Sequence, residues 1–274
     1  MYPSYVLSCV LFLILFLYEC ICHTGNTPRP QRGIDIPVFY SLNQVLDCFN
    51  IGEYANSTLT QKVMYSFEYG CKNNIPISRI RENPFIAIEG NHKTSRKIIA
   101  RKVAKRIGAS ILHNPPKCLY HLKDMFQYGT LIRKAYFALS MYGSAYTANR
   151  LLNRWPVLIN GYWMDQAAYA ISKANSNASL PLPGDPAYMF PEDLLKPDLV
   201  FYLYFPDNLH YEQVTTRSPN SWKPKMLEIY KRMQDPKVIV LSTAIGFDGV
   251  VTMIENEIFN NLKDKYIFEA QPYK

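Results

Sequence analysis

The chain has 274 residues, 48% of them hydrophobic, with 21 tyrosines and a formal net charge of +8. That length holds one large or two small domains with ample apolar material for a core. The positive balance permits anionic partners such as nucleotides, acidic glycans or membrane headgroups. With no run of six basic residues and no heptad array, it excludes a dedicated nucleic-acid arm.

Residues 1–22 read as a secretory signal. Val6 to Tyr18 is an uncharged apolar core followed by Glu19-Cys20-Ile21-Cys22, with cleavage expected after Cys22. The core is shorter than the roughly 20 residues of a comfortable membrane span; an uncleaved anchor, and with it membrane contact, is the alternative. No Lys or Arg precedes Arg29, which argues against an Arg-rich mitochondrial presequence. Secretion agrees with two glycosylation acceptors, Asn56-Ser57-Thr58 and Asn177-Ala178-Ser179. Cys48, Cys71 and Cys118 remain after cleavage. Cys48 and Cys71 flank a helical pair and could bridge, leaving Cys118 over; three buried thiols is the other reading.

Residues 23–40 lack periodicity and read as a linker. Ser41-Leu42-Asn43-Gln44 and Thr58-Leu59-Thr60-Gln61 each have the form of a capping box before an amphipathic run. They predict a helical hairpin extension over residues 41–82, ahead of a main domain at 83–274. There, Phe85–Ile88 is a short strand and Ile98 to Ile107 a basic helix stopped by Gly108. Ala109–Leu112 is the second strand. Helices follow near Leu119–Gln127 and Thr130–Asn153. Pro156–Ile159 is the third strand, with a helix over Met164–Ala174 and a Pro-rich loop over Leu180–Pro191. Leu199–Phe205, continuously apolar, reads as the buried centre of a parallel sheet. Lys237–Leu241 is a fifth strand and Asp248–Leu262 a closing helix. Alternating strands and helices predict an α/β fold, a five-stranded parallel sheet flanked by helices, with ligands at the carboxyl ends of the strands.

Strand, turn and helix around Glu89-Gly90-Asn91-His92-Lys93-Thr94-Ser95-Arg96-Lys97 are the setting of a phosphate-binding loop. Gly90 is in place, but the second glycine of the formula is Ser95, the lysine is Arg96 and the hydroxyl residue is Lys97. The five histidines show no metal-ligand spacing, so no metal site is expected. No nucleophile elbow surrounds Ser140 or Ser144.

From about Pro84 to Leu262 the chain resembles thymidylate kinase-like nucleoside monophosphate kinases, and among them the branch called mitochondrial UMP-CMP kinase 2. The likeness is carried by Phe85-Ile86-Ala87-Ile88-Glu89-Gly90, by Asn114-Pro115-Pro116-Lys117-Cys118, and by Tyr162-Trp163 with Ala168-Tyr169-Ala170. Above all it is carried by Pro191-Glu192-Asp193-Leu194-Leu195-Lys196-Pro197-Asp198-Leu199. The resemblance implies a P-loop NTPase-like fold, transfer of phosphate from ATP with Mg²⁺ to dTMP, UMP or CMP, and a mitochondrial location as the alternative to the secretory one.

The same resemblance identifies departures. An ammonium at Lys97 has no lone pair for Mg²⁺. The planar head of Arg96 does not replace a compact lysine charge. Where the family ends its third strand with Asp-Arg-Tyr, this chain has Asn160-Gly161-Tyr162. The lid region, His210–Pro224, contains one arginine, Arg217. Three elements have lost charge or geometry while the scaffold stretches survive, which points to a pseudokinase of the secretory pathway acting as a binding module for a protein partner. Arg96, Lys97 and Asn160 are then degenerate equivalents of catalytic residues. Residual nucleotide contact would involve Gly90, Thr94, Ser95, Arg96, Lys97, Arg133, Tyr162 and Arg217. The alternative is an active kinase with a rebuilt phosphate site.

Overall fold

The computed structural model describes residues 37–72, 81–176, 178–206 and 222–267. The signal segment, most of the linker, Asn177 and Arg217 lie outside the described residues. Among those described, no helix is long and apolar enough to cross a membrane.

Five parallel strands form one sheet in the order β2-β3-β1-β4-β5: β1 Phe85–Gly90, β2 Ser110–His113, β3 Val157–Asn160, β4 Leu199–Tyr204 and β5 Val238–Ser242. Each predicted strand is present, shifted by a residue or two. Because side chains alternate along a strand, β1 feeds two cores. Ile86 and Ile88 join Leu158, Phe201 and Leu203 under α3 (Lys93–Arg106) and α8 (Phe247–Leu262). Phe85 and Ala87 join Val157, Ile159, Val200 and Tyr202 on the opposite face, beneath α5 (Leu131–Leu151), α6 (Trp163–Ala174) and α7 (Trp222–Arg232).

The segment before β1 is helical, as its capping boxes suggest. Ser41 caps α1 (Leu42–Asp47) by accepting from the Gln44 N–H. Ser57, one residue ahead of the predicted cap, accepts from the Thr60 N–H at the start of α2 (Thr58–Tyr65). The chain continues from α2 as a wider helical turn over Ser66–Lys72. Val45, Phe49, Val63 and Phe67 from this segment enter the same core as Phe85 and Val157.

Two expectations are corrected. The disulfide joins Cys71 to Cys118, with Cα atoms 5.6 Å apart, and Cys48 is a free thiol. Room for the bridge comes from two glycines. A Cβ on Gly143 would stand 3.0 Å from Cys71 Sγ, and one on Gly70 would stand 3.2 Å from Cys118 Cβ. The helix expected over Leu119–Gln127 is only one turn, α4 (Lys117–Tyr120). Arg133 Nη1 donates to the carbonyls of Lys123 and Phe126, at 3.0 and 2.7 Å, which holds that chain in turns. Gly129, at a φ of +82°, then leads into the Thr130 cap of α5.

The nine-residue block from Pro191 has a structural use. Asp193 accepts from the Leu42 N–H and the Tyr142 hydroxyl, each at 2.7 Å, so it ties α1 to α5. Asp198 accepts the first N–H of β1, from Phe85, at 2.8 Å and pairs with Arg81.

Candidate functional site

The carboxyl ends of β1 and β3 and the start of α3 meet where the phosphate loop is expected. Only Asn91 and His92 separate β1 from α3. Asn91 is stitched to β4: its Nδ2 donates to the Phe205 carbonyl at 3.2 Å, and its Oδ1 accepts the Phe205 N–H at 2.9 Å. Gly90 is required by the same contact, since a Cβ there would lie 2.5 Å from the Leu203 carbonyl oxygen. His92 caps the helix. Its Nδ1 accepts from the Ser95 N–H and lies 2.8 Å from Ser95 Oγ. Ser95 and Arg96 are therefore buried in the first turn of a helix, whereas Thr94 and Lys97 are exposed on it. A cradle of free backbone N–H groups needs a loop at this position; here the loop is pinned and short.

The guanidinium of Arg96 fills the junction. Its Nε donates to Asn160 Oδ1 at 2.9 Å, and its Nη1 donates to the Gly90 carbonyl at 3.2 Å and pairs with Asp165 at 3.6 Å. Gly161 makes room for it: a Cβ at that position would stand 3.2 Å from Arg96 Nη2. The two sequence departures are thus one arrangement. The absence of a side chain at Gly161 leaves the space that the arginine head occupies, and the Asn160 amide oxygen is its acceptor.

Beneath this layer lies Glu89, fully buried. Its Oε1 accepts the Tyr162 N–H at 3.1 Å and its Oε2 accepts from the Tyr230 hydroxyl. Burial, with Asp165 adding to it, pushes the Glu89 carboxyl up to about 7, against the pull of Tyr230, Arg96 and the Tyr162 N–H. Tyr202 stands beside Glu89 on the adjacent strand, and its ring stacks on that of Tyr230 at 4.0 Å. Its buried hydroxyl has no hydrogen-bond partner among the described residues. Burial and the neighbouring carboxylates push both phenols up.

The other predicted contacts are turned elsewhere. Tyr162 is buried, with its hydroxyl donating to the Leu195 carbonyl at 3.0 Å. Arg133, besides its two carbonyls, stacks over Tyr128 at 3.8 Å. Lys97 projects toward the end of β2, where it and Arg101, after burial, hold the His113 imidazole below its ordinary range. Asn56 is exposed in the turn before α2. The structure brings together Gly90, Ser95, Arg96, Asn160 and Tyr162. It adds Glu89, which lies in a motif without an assigned role, and Asp165 and Tyr230, which no motif names. A single carboxylate in an otherwise apolar strand is the signal that could have found Glu89.

The donor set suits Mg²⁺ poorly. Glu89 already accepts two hydrogen bonds in a site that favours its protonated form, the Asn160 oxygen is taken by Arg96, and Asp165 faces the same guanidinium. Among the described residues, no group of three or more His, Cys, Asp or Glu is placed to hold a metal ion.

No family model matches the chain. It is 28% identical over 194 residues to human mitochondrial UMP-CMP kinase 2, an alignment that covers 65% of this chain and 43% of that protein. The chain thus spans less than half the length of the curated relative it matches. Among solved structures it is similar in fold to thymidylate kinase from Candida albicans, with a TM-score of 0.52 and 15% identity over 70% of this chain and 98% of that one. Sequence and fold likeness point the same way.

Proposed function

Proceeding from that resemblance to the nucleoside monophosphate kinases, we propose that this chain keeps the kinase scaffold without the phosphoryl transfer, and serves as a binding module in the secretory pathway. The observation that carries this reading is the position of the Arg96 guanidinium, whose Nε and Nη1 are directed at Asn160, Gly90 and Asp165 where a phosphate cradle would open. Phosphoryl transfer depends on positioning and on charge neutralisation by a metal and cations. Here the cation is bonded internally to the Asn160 and Gly90 oxygens.

The Cys71–Cys118 bridge supports the secretory part, because structural disulfides persist mainly in oxidising compartments. The relative's mitochondrial location favours the other address. Glycosidase digestion of the protein from cells separates the two: a mobility shift that is lost when Asn56→Gln and Asn177→Gln are combined supports secretion, and co-sedimentation of unshifted protein with the mitochondrial matrix opposes it.

A second reading has one observation in its favour. Arg96 Nη2 borders Gly161, the position at which the family carries its acceptor arginine, so one guanidinium could stand in for the other. Incubation of the purified protein with ATP, Mg²⁺ and each of dTMP, UMP, CMP and dUMP decides between them. No nucleoside diphosphate is expected above the uncatalysed background. Turnover on the order of 1 s⁻¹, ordinary for such chemistry, would establish the rebuilt kinase instead.

A further inference from the structure

Helix α3 holds seven of the chain's 30 Lys and Arg residues and none of its 22 Asp and Glu. The other 23 cations nearly balance those 22 carboxylates, so the net charge of the protein is in effect the charge of this one helix. Its seven cations divide into three groups. Arg96 turns into the strand ends. Lys102 and Arg106 are neutralised by α8, through Asp248 at 2.7 Å and Glu255 at 3.0 Å. Lys93, Lys97, Arg101 and Lys105 are exposed, and among the described residues none of them pairs with a carboxylate.

Those four recur every fourth residue, about 6 Å apart along the axis, in a row about 18 Å long. Local electrostatics opposes the arrangement. Like charges at that spacing destabilise a helix by roughly 0.2–0.5 kcal/mol a pair, and Lys93 sits in the first turn, where the helix dipole disfavours a cation. The field of the row reaches His113 on β2.

We propose that this row binds a linear polyanion, and that the polyanion is a sulfated glycan chain. The narrowness of the row favours a chain over a plane. A flat anionic membrane laid on α3 would also meet Asp248 and Glu255 of α8 alongside it, and the helix's apolar side (Ile99, Ala100, Val103) is buried against the sheet, with nothing large to insert but the half-exposed Ile98. The choice of glycan over nucleic acid rests on the secretory reading above. Binding of the purified chain, by contrast, does not depend on where cells keep it, so the two fail separately.

The test uses the full chain and immobilised heparin at about 0.15 M salt, where weak surface attraction is screened. Lys97→Glu with Arg101→Glu is expected to weaken binding at least tenfold. Lys231→Glu with Lys263→Glu, the same change in net charge on exposed positions elsewhere, is expected to leave it within twofold. Asp248→Asn with Glu255→Gln frees Lys102 and Arg106 and is expected to tighten it several-fold. Equal losses in the two charge-reversed variants, or no binding by the unaltered chain, would overturn the site. Tighter binding to a length-matched DNA duplex or to phosphatidylserine vesicles than to heparin would overturn the glycan assignment.

Discussion

Glu89 and Arg96 are the two residues whose burial demands an explanation, and each makes a measurable claim. The Glu89 carboxyl, pushed up to about 7 chiefly by burial, binds its proton more tightly in the folded chain than in the unfolded one, where an ordinary glutamate titrates near 4.5. Between those values the folded state holds the extra proton, so stability from this group is fully present below about pH 4.5 and is lost as pH rises through 7. The loss is of the order of 3 kcal/mol. Glu89→Gln keeps an oxygen for the Tyr162 N–H and a group to meet Tyr230, without the charge. Urea midpoints for the variant should match the parent near pH 5 and exceed it at pH 8; parallel curves across that range would show that Glu89 does not titrate there. Arg96→Met makes the complementary claim. It leaves the Asn160 and Gly90 oxygens without their donor and Glu89 without a cation, and should cost roughly 2–4 kcal/mol in the same assay. Arg96→Lys should not restore the loss, because an ammonium cannot bridge Asn160, Gly90 and Asp165 with the planar fork that spans them. A lysine variant as stable as the parent would reduce Arg96 to a plain charge.

At the scale of elements, the helical segment before β1 is fastened to the rest by Cys71–Cys118, which closes a span of 47 residues. By loop-closure entropy such a bridge contributes about 4 kcal/mol. The double substitution Cys71→Ser with Cys118→Ser should lower unfolding stability by that order, and reducing agent should bring the parent down to the variant's level. Cys48→Ala, which removes only a half-buried thiol bonded to the Gln44 carbonyl, should fall within about 1 kcal/mol of the parent. A parent indifferent to reduction would show that the bridge is dispensable. The strands themselves are legible in the residues alone, because Phe85–Ile88 and Leu199–Phe205 are the continuous apolar runs of a sheet covered on both faces. The bridge is not. Pairing depends on which cysteine meets the gaps at Gly70 and Gly143, and no local pattern encodes that meeting. The residues Arg96, Asn160 and Gly161 are each visible in the sequence. Their interlocking is not, because it needs side chains 64 residues apart to be brought to 2.9 Å. The pairing of Glu89 with Tyr230, across 141 residues, lies further still from what a motif encodes.

Considered as a whole, the molecule does not have its helical segment as an appendage. Val45, Phe49, Val63 and Phe67 are fully buried in the core that contains Phe85 and Val157. The Trp163 indole donates to the Phe39 carbonyl at 2.7 Å, and Leu42 is held by Asp193 from the block that most strongly marks the kinase resemblance. Burying a large aliphatic or aromatic side chain contributes roughly 1.5–3 kcal/mol. Four of them approach the whole margin of about 5–15 kcal/mol by which a domain is stable. A fragment that begins at Arg81 would expose the floor beneath these side chains, leave Cys118 unpaired, and give up the partners of Asp193 and Trp163. It should therefore lack a cooperative thermal transition and near-ultraviolet dichroism while keeping far-ultraviolet signal from the sheet and its helices. A fragment that melts cooperatively within a few degrees of the full chain would show a separable extension, and the scaffold would then stand without Val45, Phe49, Val63 and Phe67 in its core.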